Sequence, residues 1–433
     1  MGNAASRSVG QLQIKVASSC TSTLEELQQQ PEDCANVVSV SSFAVKDANL
    51  VHFPVEAFQF HFLQSLDLSN NQITCIPTQI STLKSLKKLV LMHNAIRTLP
   101  EALCSLKNLT FLEVSYNSLI EVPTFLGKCT KLTGLGLSAN QITSFPNELC
   151  ALLPELVQLG VHSNQIAQLP TNLHLMKNLK KFDACRNLIH QIPEGFCELE
   201  SLEWCNLSHN RIQELPLGMH KLQNLHEIGL AHNQITCIRP LKGLHNLTSL
   251  IIYDNKIRLL CGDTVASLRQ LQVLEVGHNE IETVPFELWD LQSLKRINLQ
   301  YNSIHQVQTR QFSYHSGIVS LMLQGNRIEY LPVELISIIT SCQTFSLAYN
   351  PWLRQVPERR VLSISLREAS LNALLNSSKQ PNSFPKTCRK AIDNAKRCMH
   401  CKLARTSEMH PFFRFYSFSQ FGAVPFVGYT CCQ

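Results

Sequence analysis

Leu86-Lys87-Lys88-Leu89-Val90-Leu91-Met92-His93-Asn94-Ala95-Ile96 decides the fold. Reduced to its apolar frame it reads L-x-x-L-x-L-x-x-N-x-I, and the frame returns at Leu132, Leu135, Leu137, Asn140 and Ile142. Outward from it an asparagine recurs every 22 to 24 residues, at Asn71, Asn94, Asn117, Asn140, Asn164, Asn187, Asn210, Asn233, Asn255, Asn279, Asn302, Asn326 and Asn350. A fixed period of that length marks a stack of like turns, each burying its apolar side against its neighbours.

The two leucines of L-x-L alternate with outward-facing residues, as a short half-buried strand requires. Each turn supplies one strand. The bend that follows has backbone groups that the next turn cannot all pair, and a buried asparagine donates and accepts at once. An asparagine in every turn is therefore expected to bridge backbone groups along the stack. The repeat is of the leucine-rich type. The expected fold is an α/β solenoid, a leucine-rich repeat horseshoe of about 14 turns with a parallel sheet on its concave side, plus a small C-terminal α+β module.

Most turns place a proline six residues beyond the asparagine, as at Pro77, Pro100, Pro123 and Pro146. Proline fixes φ and removes a donor, which suits the bend onto the convex side. Segments such as Glu101–Leu106 should then cover the outer face as one or two helical turns. Arg239, Cys261, Gln308 and Val356 replace the proline in four turns, whose convex segments are expected to be less regular. A divergent turn with Phe43, Val45, Leu50 and Pro54 precedes the first asparagine and has Ala48 in its place. Residues 8–35 are expected to cap the stack, with a short helix around Leu24–Leu27. The domains expected are residues 1–35, a flexible N-terminus and cap; 36–357, the solenoid; and 358–433, a helical, cysteine-rich module.

At 433 residues the chain exceeds a usual single core, but a solenoid adds core turn by turn. The net charge of +6 is spread without a Lys/Arg run, which argues against nucleic-acid binding. No apolar run is long enough to span a bilayer and no signal-peptide core opens the chain, so a cytoplasmic location is expected. Seventeen cysteines are an odd number. Cys75, Cys104, Cys129, Cys150 and Cys197 fall at repeat core positions and read as small buried hydrophobes in a reducing compartment.

Met1-Gly2-Asn3-Ala4-Ala5-Ser6 matches the N-myristoylation pattern, with Gly2 as the acylated amine. One myristoyl chain gives only marginal binding, with K on the order of 10⁴ M⁻¹, so reversible membrane association is the expectation.

Solvent-facing strand residues of successive turns should line up about 5 Å apart on one extended face. The register places Phe111, Glu113, Tyr116, Arg186, Trp204, Tyr253, Arg296 and Tyr301 there, beside the small Gly134, Gly136 and Ser138. Exposed aromatics with arginine are the residue types enriched at interface hot spots, so these eight are the expected protein-binding residues. His93, His209, His232 and His278 each precede a ladder asparagine. They read as polar caps on the strand ends, with metal binding or pH sensing as the other reading.

Catalytic residues are not expected. There is no P-loop, no G-x-S-x-G and no HExxH, and the G-x-G-x-x-A at Gly134–Ala139 lies on a repeat strand instead of a strand-to-helix turn.

After Asn350-Pro351 the character changes. Ser365–Leu375 has a helical pattern, and 386–397 reads as a second helix. Cys398-Met399-His400-Cys401 is followed about thirty residues later by Cys431 and Cys432. Cys398, Cys401, Cys431 and Cys432 either make a tetrahedral zinc site that folds a small module, with His400 or His410 as substitute ligands, or are reduced cysteines in a β-rich tail.

Residues 36–350 resemble the intracellular LPxxL-type leucine-rich repeat proteins, the class of the Ras-scaffold Shoc-2 and the Ras suppressors. The tail, with Asn350-Pro351, the Leu366–Leu375 helix, Phe384-Pro385, Cys398-x-x-Cys401 and the Pro425 to Cys431 ending, is similar to the C-terminal module of leucine-rich repeat proteins that include substrate receptors of cullin-RING ubiquitin ligases. The resemblance implies that Ser365, Leu366, Ser370 and Leu374 face the adaptor Elongin C and, through it, a cullin. Ser370 stands where such receptors prefer cysteine, and the chain's ending departs from their C-[ST]-x-x-C. The expected function is a non-enzymatic protein-interaction protein binding a partner on the repeat face, as a ubiquitin-ligase substrate receptor. The alternative is a myristoylated signalling scaffold of the Ras-pathway type.

Overall fold

The computed structural model describes residues 40–309, 317–332 and 334–352 in full, and the backbone of strands at 12–16, 396–397, 404–405, 410–418 and 422–430. The chain divides into two compact units, Met1–Ile252 and Tyr253–Gln433.

In the first unit, β1 (Leu12–Val16) runs antiparallel to β2 (Val40–Val45). From β2 onward every pairing is parallel and in sequence order: β3 (Ser65–Asp67), β4 (Lys88–Val90), β5 (Phe111–Glu113), β6 (Gly134–Gly136), β7 (Gln158–Gly160), β8 (Lys181–Asp183), β9 (Trp204–Asn206), β10 (Glu227–Gly229) and β11 (Ser249–Ile251). The described part of the expected cap is thus a strand that occupies the β2 edge. The helix read around Leu24–Leu27 lies outside the described residues.

One turn shows why the unit stacks. Leu86, Leu89, Leu91, Ile96, Leu99, Leu103 and Leu106 are all buried. Each such side chain contributes about 1.5–3 kcal/mol on burial, but a lone turn has no second face to bury them against. The asparagines pin the turns together. Asn94 donates through Nδ2 to Leu68 O (2.9 Å) in the preceding turn and Leu91 O (3.0 Å) in its own, while its Oδ1 accepts from Ile73 N–H (2.9 Å). The first turn, which has Ala48 in place of asparagine, is held from the next one: Asn71 Oδ1 accepts from Ala48 N–H and Leu50 N–H.

Backbone conformation explains the column that precedes the ladder. Asn70, His93, Tyr116, Ala139, Ser163, Arg186, His209 and His232 all have φ between +50° and +56°. Non-glycine residues adopt this left-handed region at a cost of about 1–2 kcal/mol each, with Asn, Asp and His the least averse. The bend before each asparagine demands it, so the recurring histidines answer to backbone geometry first.

The outer side is covered mainly by 3₁₀ segments such as Thr78–Thr82, Glu101–Ser105 and Glu194–Glu198, each entered from an extended proline. Proline does not decide their regularity. Cys261, in the second unit, opens an α-helix over Gly262–Ser267, whereas the Pro170 turn carries only the three-residue Leu173–Leu175. The expectation of less regular segments without proline holds at Arg239, whose turn carries only the three-residue Arg239–Leu241, and is corrected at Cys261. The Val356 segment lies outside the described residues.

The second unit continues the design with parallel strands Val273–Glu275, Arg296–Asn298, Ser320–Met322 and Thr344–Ser346. Its described turns and those of the first unit, ten strands and four, match the fourteen expected. Asn350 closes the last of them, accepting from Ile328 N–H at 3.1 Å. Strands His410–Phe418 and Gly422–Thr430 form an antiparallel hairpin, and the latter pairs in parallel with Leu331–Pro332 of the repeats. Lys396–Arg397 is a strand paired with Ala404–Arg405, which corrects the end of the helix read over 386–397.

Candidate protein-binding surface

In-register pairing decides which outward residues meet. Phe111 pairs with Gly134 and Gly134 with Gln158; Glu113 pairs with Gly136, Gly136 with Gly160, and Gly160 with Asp183. Three glycines in two adjacent strands leave a hollow in an otherwise side-chain-covered face. Its volume is about 290 Å³, and it is lined by Phe111, Glu113 and Tyr116 on one side, Lys181, Asp183 and Trp204 on the other, with Gly136, Gly160 and Ser138 between.

The walls lean into that space. A Cβ at Gly134 would sit 2.5 Å from Phe111 Cδ2, and one at Gly136 would collide with the Glu113 carboxylate. The glycines are there because neighbouring side chains occupy the volume above them. Lys88 Nζ lies 5.4 Å from the Phe111 ring centroid on the far side. Tyr116, 44% exposed, stacks on His93 with centroids 4.1 Å apart and meets His162 edge-on at 6.4 Å. Trp204 is half-buried.

Backbone amides orient both acidic walls. Glu113 Oε1 accepts from Ser115 N–H at 3.0 Å, and Asp183 Oδ1 from Cys185 N–H at 3.1 Å. Asp67, in the same column near the first turn, makes the same turn with Ser69 N–H (3.1 Å) and adds an ion pair with Lys46 Nζ (2.7 Å). Burial pushes its carboxyl up, but the Lys46 and Ser69 hydrogen bonds and the Lys46 charge outweigh this and hold it below the ordinary value.

Of the eight residues expected to bind protein, Phe111, Glu113, Tyr116 and Trp204 share this hollow. Arg186 is exposed in a left-handed bend and does not line it. Tyr253, Arg296 and Tyr301 belong to the second unit, where Tyr301 packs on His278 with centroids 4.6 Å apart. Gly160 and Ser115 were not among the expected open-face residues. The run of small residues at 134, 136 and 138 was the available signal, and Gly160, four residues before Asn164 as Gly136 is before Asn140, extends it.

His209 and His232, one turn apart, stack with centroids 3.9 Å apart. Among the described residues no group of three or more His, Cys, Asp or Glu could hold a metal ion. The zinc ligands expected at Cys398, Cys401, Cys431 and Cys432, the adaptor residues Ser365, Leu366, Ser370 and Leu374, and Gly2 all lie outside the described residues.

Cys104, Cys129, Cys150 and Cys197 are buried as expected, whereas Cys75 is exposed. Its side chain follows Ile73 on the way to the bend at Ile76-Pro77 and points off the core. Burial pushes the Cys129 thiol up to about 11 and those of Cys150 and Cys197 up to about 12.

A leucine rich repeat family model matches residues 39–96, 63–119 and 245–304. A leucine-rich repeat protein of Leptospira interrogans superposes with a TM-score of 0.65 at 28% identity, covering 69% of this chain and 76% of that one. The chain is a leucine-rich repeat protein. The leucine-rich repeat ectodomain of a plant membrane receptor kinase from Arabidopsis thaliana, solved in complex with Casparian strip integrity factor 2, superposes with a TM-score of 0.58 at 26% identity over 71% of this chain and 41% of that one. The rat leucine-rich repeat-containing G-protein coupled receptor 5 is 30% identical over 116 residues, 27% of this chain. This leucine-rich repeat chain matches only 13% of that receptor's length.

Proposed function

We propose that this protein is a non-enzymatic interaction protein whose open strand face, at the hollow between β5 and β9, binds a protein partner. The observation that carries the reading is the glycine-floored hollow walled by Phe111, Tyr116 and Trp204 with Glu113 and Asp183. Aromatic side chains at the edge of a recess supply large contact area at low entropic cost, and they are the residue types on which interface energy concentrates. The plant ectodomain solved with a bound factor supports the same use of the fold. Cross-linking through a photoreactive group at Gln158, followed by mass spectrometry, tests it. A partner cross-linked at Gln158 and lost with Trp204→Ala is the expected result; cross-links unaffected by Trp204→Ala would overturn it.

Two tasks are proposed for such a surface. In the first the protein is a cullin-RING substrate receptor, supported by the tail residues Ser365, Leu366, Ser370 and Leu374 that resemble an Elongin C docking helix, with zinc at Cys398, Cys401, Cys431 and Cys432. In the second it is a cytoplasmic scaffold brought reversibly to membranes by a myristoyl group on Gly2, supported by the Met1–Ser6 pattern. Affinity purification of wild type beside Leu366→Asp and Gly2→Ala separates them. Elongin and cullin recovered with wild type and lost with Leu366→Asp establish the first; their absence from the wild-type sample removes it.

A further inference from the structure

We infer that the hollow receives an arginine side chain of the partner, presented on an extended or looped peptide segment. The inference rests on the docking reading above and names the chemistry of the contact.

The size of the hollow, about 290 Å³, is just below the range of pockets that hold drug-sized ligands and suits one long side chain. Its charge decides which. The backbones of Glu113 and Asp183 stand three strand spacings apart, about 14 Å, and the Glu113 carboxylate leans over Gly136 on the adjacent strand between them. One oxygen of each is fixed by a backbone N–H, and neither carboxylate is ion-paired among the described residues. Asp67 shows the completed arrangement: the same column and the same backbone bond, with the Lys46 ammonium seated on the remaining oxygen at 2.7 Å. This strand position therefore accommodates a cation on its carboxylate, and among the described residues none is ion-paired to Glu113 or Asp183.

The other groups facing the space choose among cations. Tyr116 offers a stacked, 44% exposed ring and Trp204 a half-buried indole. A guanidinium is planar, stacks on aromatic faces and presents paired donors to a carboxylate, whereas an ammonium is a strongly hydrated point charge. Lys181 and His162 also border the hollow, and Lys88 is engaged over the Phe111 ring. Lys181 is exposed, so its ammonium can extend into water as the ligand enters.

The test selects binders to the full-length chain from a phage-displayed random dodecapeptide library and measures them by fluorescence anisotropy. Selected peptides are expected to share an arginine. Replacing it by citrulline, which keeps the shape and removes the charge, should weaken binding by about tenfold or more, as should Glu113→Gln or Asp183→Asn. Both amide variants keep an acceptor for the backbone N–H, so folding is preserved. Pairing Glu113→Lys with an Arg→Glu peptide should recover part of the loss. Peptides whose binding falls with Trp204→Ala but is unchanged by citrulline and by both amide variants overturn the arginine inference while leaving docking intact. If no selected peptide is weakened by Trp204→Ala, the docking reading itself fails.

Discussion

The Glu113 carboxylate occupies the space above Gly136, in register on the neighbouring strand, where a Cβ would collide with it. Because the obstructing atoms are the far end of a flexible side chain, Gly136→Val can be accommodated by rotating Glu113 outward. We expect a stability loss of about 1–3 kcal/mol at most in urea unfolding, together with loss of partner binding because the Glu113 carboxylate is displaced from the hollow. A variant that unfolds cooperatively near the wild-type midpoint yet binds the partner normally would contradict this role for the floor.

Asn187 holds four backbone groups: its Nδ2 donates to Val161 O, Ala184 O and Cys185 O at 3.0–3.2 Å, and its Oδ1 accepts from Ile166 N–H at 3.0 Å. Asn187→Leu leaves these groups without their partner in a buried place, at about 1–3 kcal/mol per orphaned group. Urea unfolding should show a stability loss of that order, read as a lowered midpoint, with amide exchange accelerated first at Ile166.

Arg186 is exposed at φ +53° and lies outside the hollow. Arg186→Gly removes the left-handed strain, worth about 1–2 kcal/mol, against a somewhat larger chain entropy in the unfolded state. The net expectation is a gain of up to about 1 kcal/mol by thermal and urea unfolding, with partner affinity unchanged.

Asp67 is held below its ordinary value of 3.8 by Lys46 and Ser69 against the upward push of burial. A depressed folded value contributes stability that is present above the unfolded value and is lost as pH falls through the folded one. The stability difference between wild type and Lys46→Met should therefore be constant at neutral pH and shrink below about pH 4. Urea midpoints measured from pH 7 to pH 2.5 check it; a difference that persists unchanged at pH 2.5 would count against the pair.

Thiol labelling should sort the cysteines by burial. Cys75 and Cys237 are exposed and should react rapidly with Ellman's reagent at pH 8. Cys150 and Cys197, their thiols pushed up to about 12 by burial, should react only after denaturation. Mapping of the fast-labelled sites by peptide mass spectrometry reads the outcome.

The repeat frame was legible because every turn restates it. Leu89, Leu91 and Ile96 name a strand and its core side, and Asn94 names the bend, without reference to any other part of the chain. The convex segments were less legible. Cys261 opens a helix without proline and Pro170 precedes a very short one, because regularity there depends on packing against adjacent turns and not on φ at a single residue. The candidate site was half legible: Phe111, Glu113, Tyr116 and Trp204 could be assigned to the open face, but so could Arg186, which does not reach the hollow. The histidine column had a cause that no spacing reveals, a left-handed bend before each asparagine.

The sequence alone determined the stack, since a period of 22 to 24 residues with alternating leucines buries its apolar groups in no other way. Tertiary structure decided which outward residues act together. Pairing in parallel register set Gly160 beside Gly136 and turned two ordinary strands into a floor, with the Glu113 carboxylate leaning over it. Proximity across strands is a matter of register, and register is fixed only when the turns are stacked.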